Sequence, residues 1–119
     1  HDLPAVACNY VQRIIPANPN AKDVNGQVMY TYPDSEGLEE AASAGFGVSL
    51  FKAEIFQKLS KPWFDCVWMN DGRLVGEDVF LFRKLKHELD ISLYVDHDLS
   101  KEVAHLGLFE FTNNLAGIQ

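Results

Sequence analysis

Residues 76–96 read GEDVFLFRKLKHELDISLYVD and contain the clearest pair of elements in the chain. Apolar residues recur at helical spacing up to Leu89, which predicts a helix over residues 77–89. The short apolar run 91–95 predicts a buried strand immediately after it. A helix leading into a buried strand is typical of proteins that combine helices with a mixed sheet.

Weaker signals lie on both sides of this unit. The sequence predicts strands over residues 3–11, 28–32, 44–51, 64–69 and 103–106, a short helix over 52–59, and a turn at 70–72. Residues 37–44 are ambiguous, and the polar tail from Phe111 is expected to be mobile at its end. Strands and helices alternate after residue 44 and no linker interrupts the chain. We therefore expect one domain over residues 1–119, in the α/β or α+β class, with a mixed sheet.

Composition excludes several classes of protein. The chain has 119 residues and a net charge of −7, which argues against nonspecific binding to nucleic acid or anionic membranes. No apolar run approaches the ~20 residues that span a bilayer. The chain has neither an initiator methionine nor a visible signal peptide, so we expect a cytoplasmic piece of a longer protein. Cys8 and Cys66 are expected to be buried, reduced thiols, although one disulfide remains an alternative.

Glu77 and Asp78 open the predicted helix and are the first candidates for chemistry. Carboxylates in a first helical turn stabilise the free backbone donors there, so capping alone explains them. Asp78, however, precedes the apolar residues of the helix by 3, 4, 7 and 11 positions and shares their face. A partly desolvated carboxylate at a helix start is suited to taking a proton from a hydroxyl group.

The histidines give a second candidate. His105 lies at the end of a short apolar strand, where an imidazole is either hydrogen-bonded for structure or a metal ligand. Asp96, His97 and Asp98 form a polar corner that could bind a cation, although an exposed loop is the simpler interpretation. No two histidines lie at i, i+3 or i, i+4, which excludes a helical zinc pair.

Glycine and aromatic residues form a third group. Gly45, Phe46 and Gly47 lack the third glycine of a dinucleotide fingerprint and indicate either close packing or backbone exposed to a ligand. Trp63 follows a proline and is either a core residue or an aromatic platform for a sugar.

Singly these signals are weak, but their order resembles the second half of a GT-A fold glycosyltransferase, close to the large inverting family 2. The resemblance covers residues 44–108. It is carried by the glycine-rich segment 44–52, the Pro-Trp-Phe at 62–64, the helix opening 76–81, the strand 91–96 and the histidine-glycine segment 103–107.

The resemblance implies a role for each candidate. Asp78 matches the catalytic base that acts on the acceptor hydroxyl, and Glu77 matches a neighbour that holds the acceptor. His105 matches a ligand of the divalent metal, Mn or Mg, at the donor pyrophosphate. Gly45, Phe46 and Gly47 match the segment near the donor sugar, and Trp63 matches an aromatic near the acceptor. The implied partners are a nucleotide-sugar donor and a carbohydrate or other hydroxyl acceptor, with neither nucleic acid nor a membrane span.

The departure from the family is large, because the nucleotide-binding first half with its paired aspartates is absent. The expected fold is thus a partial GT-A fold: a mixed sheet with flanking helices and no N-terminal nucleotide-binding half. Alone it should be inactive, and its open sheet edge could drive homo-oligomerisation. Two alternatives stay open: a noncatalytic interaction protein that keeps the fold, and an unrelated α+β binding module in which Glu77 and Asp78 only cap a helix.

Overall fold

The computed structural model describes residues 1–108 and 110–117. The strands are β1 (Ala5–Ala7), β2 (Lys22–Asp23), β3 (Leu38–Ser43), β4 (Ser49–Phe51), β5 (Val67–Trp68), β6 (Leu74–Val75), β7 (Leu93–Asp96), β8 (Ala104–Leu106) and β9 (Glu110–Thr112). The helices are α1 (Ile55–Lys58), α2 (Glu77–Leu89) and α3 (His97–Ser100), followed by a 3₁₀ turn over Asn113–Gly117.

A five-stranded sheet in the order β2-β3-β7-β1-β4 forms the centre of the molecule. β1 and β7 are parallel, whereas β4 pairs with β1, and β3 with β7, in antiparallel fashion. Two separate hairpins, β5–β6 and β8–β9, complete the strands. The expectation of an α/β domain with a mixed sheet is therefore confirmed.

α2 is the helix that the sequence predicted, with the same ends. It starts after Gly76, which offers no side-chain cap, and ends at Asp90 in the left-handed conformation (φ 53°). The Asp90 amide donates to the carbonyls of Leu85 and Lys86, which satisfies the last turn. No helix in the described part of the chain is long and apolar enough to cross a membrane.

The core lies between α2 and one face of the sheet. Leu81, Phe82 and Leu85 of α2 are at most 3 % exposed. They pack in one cluster with small or branched residues of the central strands, which are Ala5, Ala7, Ala41, Leu93 and Val95. Because alanine methyl groups project little from the sheet, the helix can approach it closely.

The opposite face of the sheet carries little cover among the described residues. The register places Leu50, Val6 and Tyr94 side by side across β4, β1 and β7. Leu50 is 70 % exposed, and it lies on an edge strand. β4 and β2 are the two edge strands of this sheet.

Several element predictions are wrong. Residues 28–32 form no strand beyond an isolated bridge between Val28 and Lys22, and the Met29 carbonyl is bonded to the Asn9 side chain instead of to a neighbouring strand. The ambiguous segment 37–44 is instead β3. The segment from Phe111 begins within β9, which pairs with β8, and the predicted mobility at the end of the tail concerns residues 118–119, which lie outside the described residues. An alternating apolar pattern over only about five residues cannot distinguish a strand from an irregular segment.

We expect Leu85→Ala to lower the free energy of unfolding by about 2–5 kcal/mol, because it leaves a cavity beneath α2. Leu50→Ala is the matched control and should change stability by less than about 0.5 kcal/mol, since this side chain is largely in solvent. Urea unfolding followed by circular dichroism measures both. Equal effects of the two changes would contradict the assignment of the core.

Candidate functional site

Three segments meet at the carboxyl end of the parallel pair β1 and β7. The segment after β1 begins there, and the segment before β4 lies alongside it, because Ala7 pairs with Ser49 and the Cys8 amide donates to the Val48 carbonyl at 3.0 Å. α2 joins β7 through only residues 90–92, so the helix runs antiparallel to that strand and starts at the same end. This edge is where open α/β sheets usually bind ligands.

Asp78 lies at that helix start and is partly buried. Its Oδ1 accepts a hydrogen bond from the Val79 amide at 2.7 Å, so one oxygen does serve a free backbone donor of the first turn. The other oxygen has no hydrogen-bond partner among residues 1–108 and 110–117. Stabilisation of the helix start therefore explains the position of Asp78 Oδ1, but it does not explain the second carboxylate oxygen.

Glu77 is exposed and points toward the hairpin β5–β6. The Cys66 thiol lies 3.8 Å from Glu77 Oε2. Both cysteines are free thiols, as expected, but only Cys8 is buried, and Cys66 is exposed. Burial raises the pKa of the Cys8 thiol, with a smaller contribution in the same direction from Asp96.

His105, in β8, is oriented by the segment after β1. Its Nδ1 is 3.0 Å from the Val11 carbonyl oxygen. A carbonyl can only accept, so Nδ1 carries the hydrogen and the neutral ring presents the lone pair of Nε2. Metal-binding histidines usually have this arrangement, in which the second nitrogen donates to a fixed acceptor.

The wider donor set does not support a complete metal site. No group of three His, Cys, Asp or Glu side chains that could hold a metal ion is found in the described ranges.

Tyr10 is a residue that the sequence reasoning missed. Its ring meets the His105 ring edge-on, with the centroids 5.8 Å apart, and its hydroxyl accepts the Gly47 amide at 2.9 Å. A Cβ at Gly47 would lie 2.6 Å from Tyr10 Cζ, and a Cβ at Gly45 would overlap the Tyr10 hydroxyl. Close packing against Tyr10 therefore explains both glycines without a ligand.

Phe46, between these glycines, links the segment to α2. Its ring packs edge-on against Phe82 at 5.6 Å between centroids. Phe82 lies one helical turn after Asp78. A continuous series of contacts therefore runs from His105 through Tyr10 and Phe46 to the helix that carries Asp78, although no hydrogen bond or ion pair joins Asp78 and His105 directly within the described chain.

The contacts of Trp63 differ from those expected of an aromatic residue near the acceptor. Its indole N–H donates to the Leu59 carbonyl at 3.1 Å, and its ring is 5.2 Å from the Phe56 ring. These contacts favour the core interpretation of Trp63, since its polar group and one face are already occupied.

The polar corner at residues 96–98 is not a loop, because Asp96 ends β7 and His97 and Asp98 begin α3. Asp96 caps α3 by accepting the Leu99 amide at 3.0 Å, and Asp98 accepts the Gly37 amide at 3.0 Å. His97 is 5 % exposed and bonds to Thr31 and to Glu39. Asp98 is exposed as expected, whereas partners distant in the sequence bury His97.

Asn9 holds the backbone in place just before Tyr10 and Val11. It is fully buried, and its side chain donates to the Met29 carbonyl at 2.8 Å and accepts the Ala21 amide at 3.2 Å. Its own amide donates to the Ser100 hydroxyl at 2.8 Å. A buried amide satisfied in this way positions the residues after it, because each lost bond would leave an unpaired polar group.

Two cavities lie against the sheet, and one of them reaches this edge. The first, of about 520 Å³, is bounded by α2, β3 and residues 91–93. The second, of about 380 Å³, lies on the other face of the sheet and is lined by Cys8 and Val48 at the carboxyl end of β1. Neither is lined by Asp78 or His105. The candidate site is therefore an open edge rather than a closed pocket in this structure.

Comparison with protein-family models, with curated proteins and with solved structures finds no match to this chain. The fold and the site together define an α/β domain with a mixed sheet, in which residues distant in sequence gather at the carboxyl end of a parallel strand pair.

We expect Gly45→Ala to destabilise the protein by about 1–3 kcal/mol, because the added methyl group would overlap Tyr10. Adding Tyr10→Ala should remove most of that penalty, so the double variant should be more stable than the sum of the single changes predicts. Denaturant unfolding of the four proteins in the cycle measures the coupling. Strict additivity would show that Tyr10 is not the reason for glycine at this position.

Proposed function

We propose that this chain is the acceptor-side half of an inverting glycosyltransferase, which transfers a sugar from a nucleotide-sugar donor to an acceptor hydroxyl. The resemblance noted in the sequence motivates the proposal. The observation that supports it is a series of contacts in which Tyr10 meets the His105 ring and the Gly47 amide, and Phe46 meets Phe82, one helical turn after Asp78.

Asp78 is the proposed general base. Its Oδ1 is held by the Val79 amide, which fixes the carboxylate, while its other oxygen lacks a partner in the described structure and is able to accept a proton. Removing the acceptor proton as the hydroxyl attacks the anomeric carbon makes that oxygen a stronger nucleophile. The leaving nucleotide diphosphate departs from the opposite face, which inverts the configuration.

His105 is the proposed protein ligand of a divalent cation, Mn or Mg. The hydrogen bond from Nδ1 to the Val11 carbonyl leaves Nε2 suited to that task. When bound, such a cation stabilises charge on a diphosphate leaving group. The remaining ligands and the nucleotide-binding half would have to come from polypeptide outside these 119 residues.

A noncatalytic interaction domain is the second candidate. It is favoured by the edge strand β4, where Leu50 is 70 % exposed. Sedimentation distinguishes the two, because this candidate requires self-association or a bound partner and the transferase does not.

The test of the base is Asp78→Asn in the complete polypeptide that contains this chain, assayed for nucleotide release with a panel of nucleotide-sugars. We expect the rate to fall by about 10²–10⁴-fold, the usual contribution of a general base. Asp71→Asn is the matched control, because Asp71 is exposed at the hairpin turn and pairs with Arg73. Retention of wild-type turnover by Asp78→Asn would contradict the proposal.

The metal role has a separate test that does not need turnover. In the same polypeptide, Mn²⁺ with a nucleoside diphosphate should broaden the NMR signals of His105 and its neighbours, because Mn²⁺ is paramagnetic. His105→Ala should weaken Mn²⁺ binding by about 10–100-fold, whereas His87→Ala, on the exposed side of α2, should leave it unchanged. Equal binding by both variants would remove His105 from the metal site.

A further inference from the structure

The cavity between α2 and β3 lies apart from the candidate site. It measures about 520 Å³, and small-molecule sites commonly measure about 300–1,000 Å³. Its walls come from α2, β3 and the segment 91–93, and neither Asp78 nor His105 lines it. A ligand in this cavity would therefore be separate from the residues of the proposed transfer reaction.

Apolar residues form the base of the cavity. Phe82, Ala41 and Leu93 line it and are at most 6 % exposed, so they belong to the buried core. Ile91 also lines it and is partly buried against the same core. The base of the cavity therefore favours contact with a hydrocarbon over contact with water.

Cationic side chains border the cavity where it meets solvent. Arg83, Lys86 and His87 of α2 line it and are exposed. Residues three and four positions apart lie on the same side of a helix, so these groups are neighbours. The whole chain has a net charge of −7, and this cluster is a local reversal of that sign. It favours an anionic group at the mouth of the cavity.

Arg83 is a cation of α2 that no acidic side chain pairs with in the described part of the chain. Lys84 pairs with Glu88 at 3.6 Å, and Lys86 pairs with Asp90 at 3.0 Å. Arg83 makes neither an ion pair nor a side-chain hydrogen bond within residues 1–108 and 110–117. The N–H donors of its guanidinium are therefore available to a ligand.

Lys86, in contrast, already has its charge compensated. The hydrogen bond and the charge of Asp90 raise the pKa of the Lys86 ammonium, and the charge of Glu40, which also lines the cavity, contributes in the same direction. Lys86 donates a further hydrogen bond to the Ser92 hydroxyl at 3.1 Å. The charge left at the mouth is close to that of Arg83 alone, which matches a ligand with one negative charge better than a dianion.

We infer that this cavity binds a small monocarboxylate with an apolar body, of the kind represented by a medium-chain fatty acid. The carboxylate accepts hydrogen bonds from Arg83, whose planar guanidinium can offer two parallel N–H donors. The hydrocarbon lies against the base formed by Phe82, Ile91 and Leu93. Both contacts are needed, because a neutral hydrocarbon lacks the first and inorganic phosphate lacks the second.

Octanoate is the probe, and the isoleucine residues of the chain supply an internal control. We would titrate the full ¹³C-methyl-labelled chain with octanoate and record NOEs between the octanoate methylene protons and the protein methyl groups. Ile91 and Leu93 should show such NOEs, and the Ile91 signals should shift in a saturable way. Ile15, which is 67 % exposed and lies outside the cavity, should show neither effect.

Matched ligands separate the polar contact from the apolar one in the wild-type chain. 1-Octanol has the same hydrocarbon without the charge, and octylammonium has the opposite charge. Both should bind at least about tenfold more weakly than octanoate, because neither forms charge-assisted hydrogen bonds with a guanidinium. Inorganic phosphate should leave the Ile91 methyl signals in place.

Variants test the residue that holds the carboxylate. Arg83→Gln should weaken octanoate binding at least about tenfold, and Arg83→Lys should restore part of it, because lysine keeps the charge but not the two parallel donors. Arg73→Gln is the matched control, since it removes an equal charge from an exposed arginine outside the cavity. Circular dichroism checks that each variant is folded.

Four results would overturn the site. They are the absence of NOEs from octanoate to Ile91 and Leu93, equal responses of Ile91 and Ile15, binding of 1-octanol or octylammonium as tight as that of octanoate, and unchanged octanoate binding by Arg83→Gln. A response to phosphatidylglycerol vesicles without a response to octanoate would indicate a membrane surface instead and would also overturn it.

Discussion

The packing of α2 against the alanine residues of the sheet is the constraint on which the remaining structure depends. Ala5, Ala7 and Ala41 are at most 6 % exposed, and they lie beneath Leu81 and Leu85 of the helix. Larger residues in the strands would lift the helix and leave voids around it. The contact therefore sets both the distance of α2 from the sheet and the place where its N-terminus, with Asp78, emerges.

A buried polar network sets the other side of the candidate site. Asn9 lies just after β1 and is fully buried with its hydrogen bonds satisfied by Met29, Ala21 and Ser100. This network holds the backbone that presents Tyr10 to the glycine segment and the Val11 carbonyl to His105. Aromatic contacts, rather than ion pairs, connect the α2 side of the candidate site with the Tyr10 side. These contacts support the polar residues at this edge of the sheet.

The two residues to which the proposed function assigns chemistry are positioned by distant segments of the chain. Asp78 Oδ1 accepts the Val79 amide, whereas the His105 ring is oriented by the Val11 carbonyl and contacts the Tyr10 ring edge-on. Contacts through Phe46 and Phe82 link these two parts of the molecule. The proposed transfer needs both residues, because the acceptor hydroxyl must lose a proton and the departing diphosphate must have its charge stabilised.

The sequence by itself determined α2, the strand after it, the mixed α/β class and the turn at 70–72, because each has a strong local pattern or turn chemistry. Only the tertiary structure decided that Tyr10 requires the glycines at 45 and 47, that His97 is buried, and that Trp68 rather than Trp63 faces solvent. These properties depend on partners distant in the chain. Periodicity reports which face of an element is apolar, but it carries no information on which segment will cover that face.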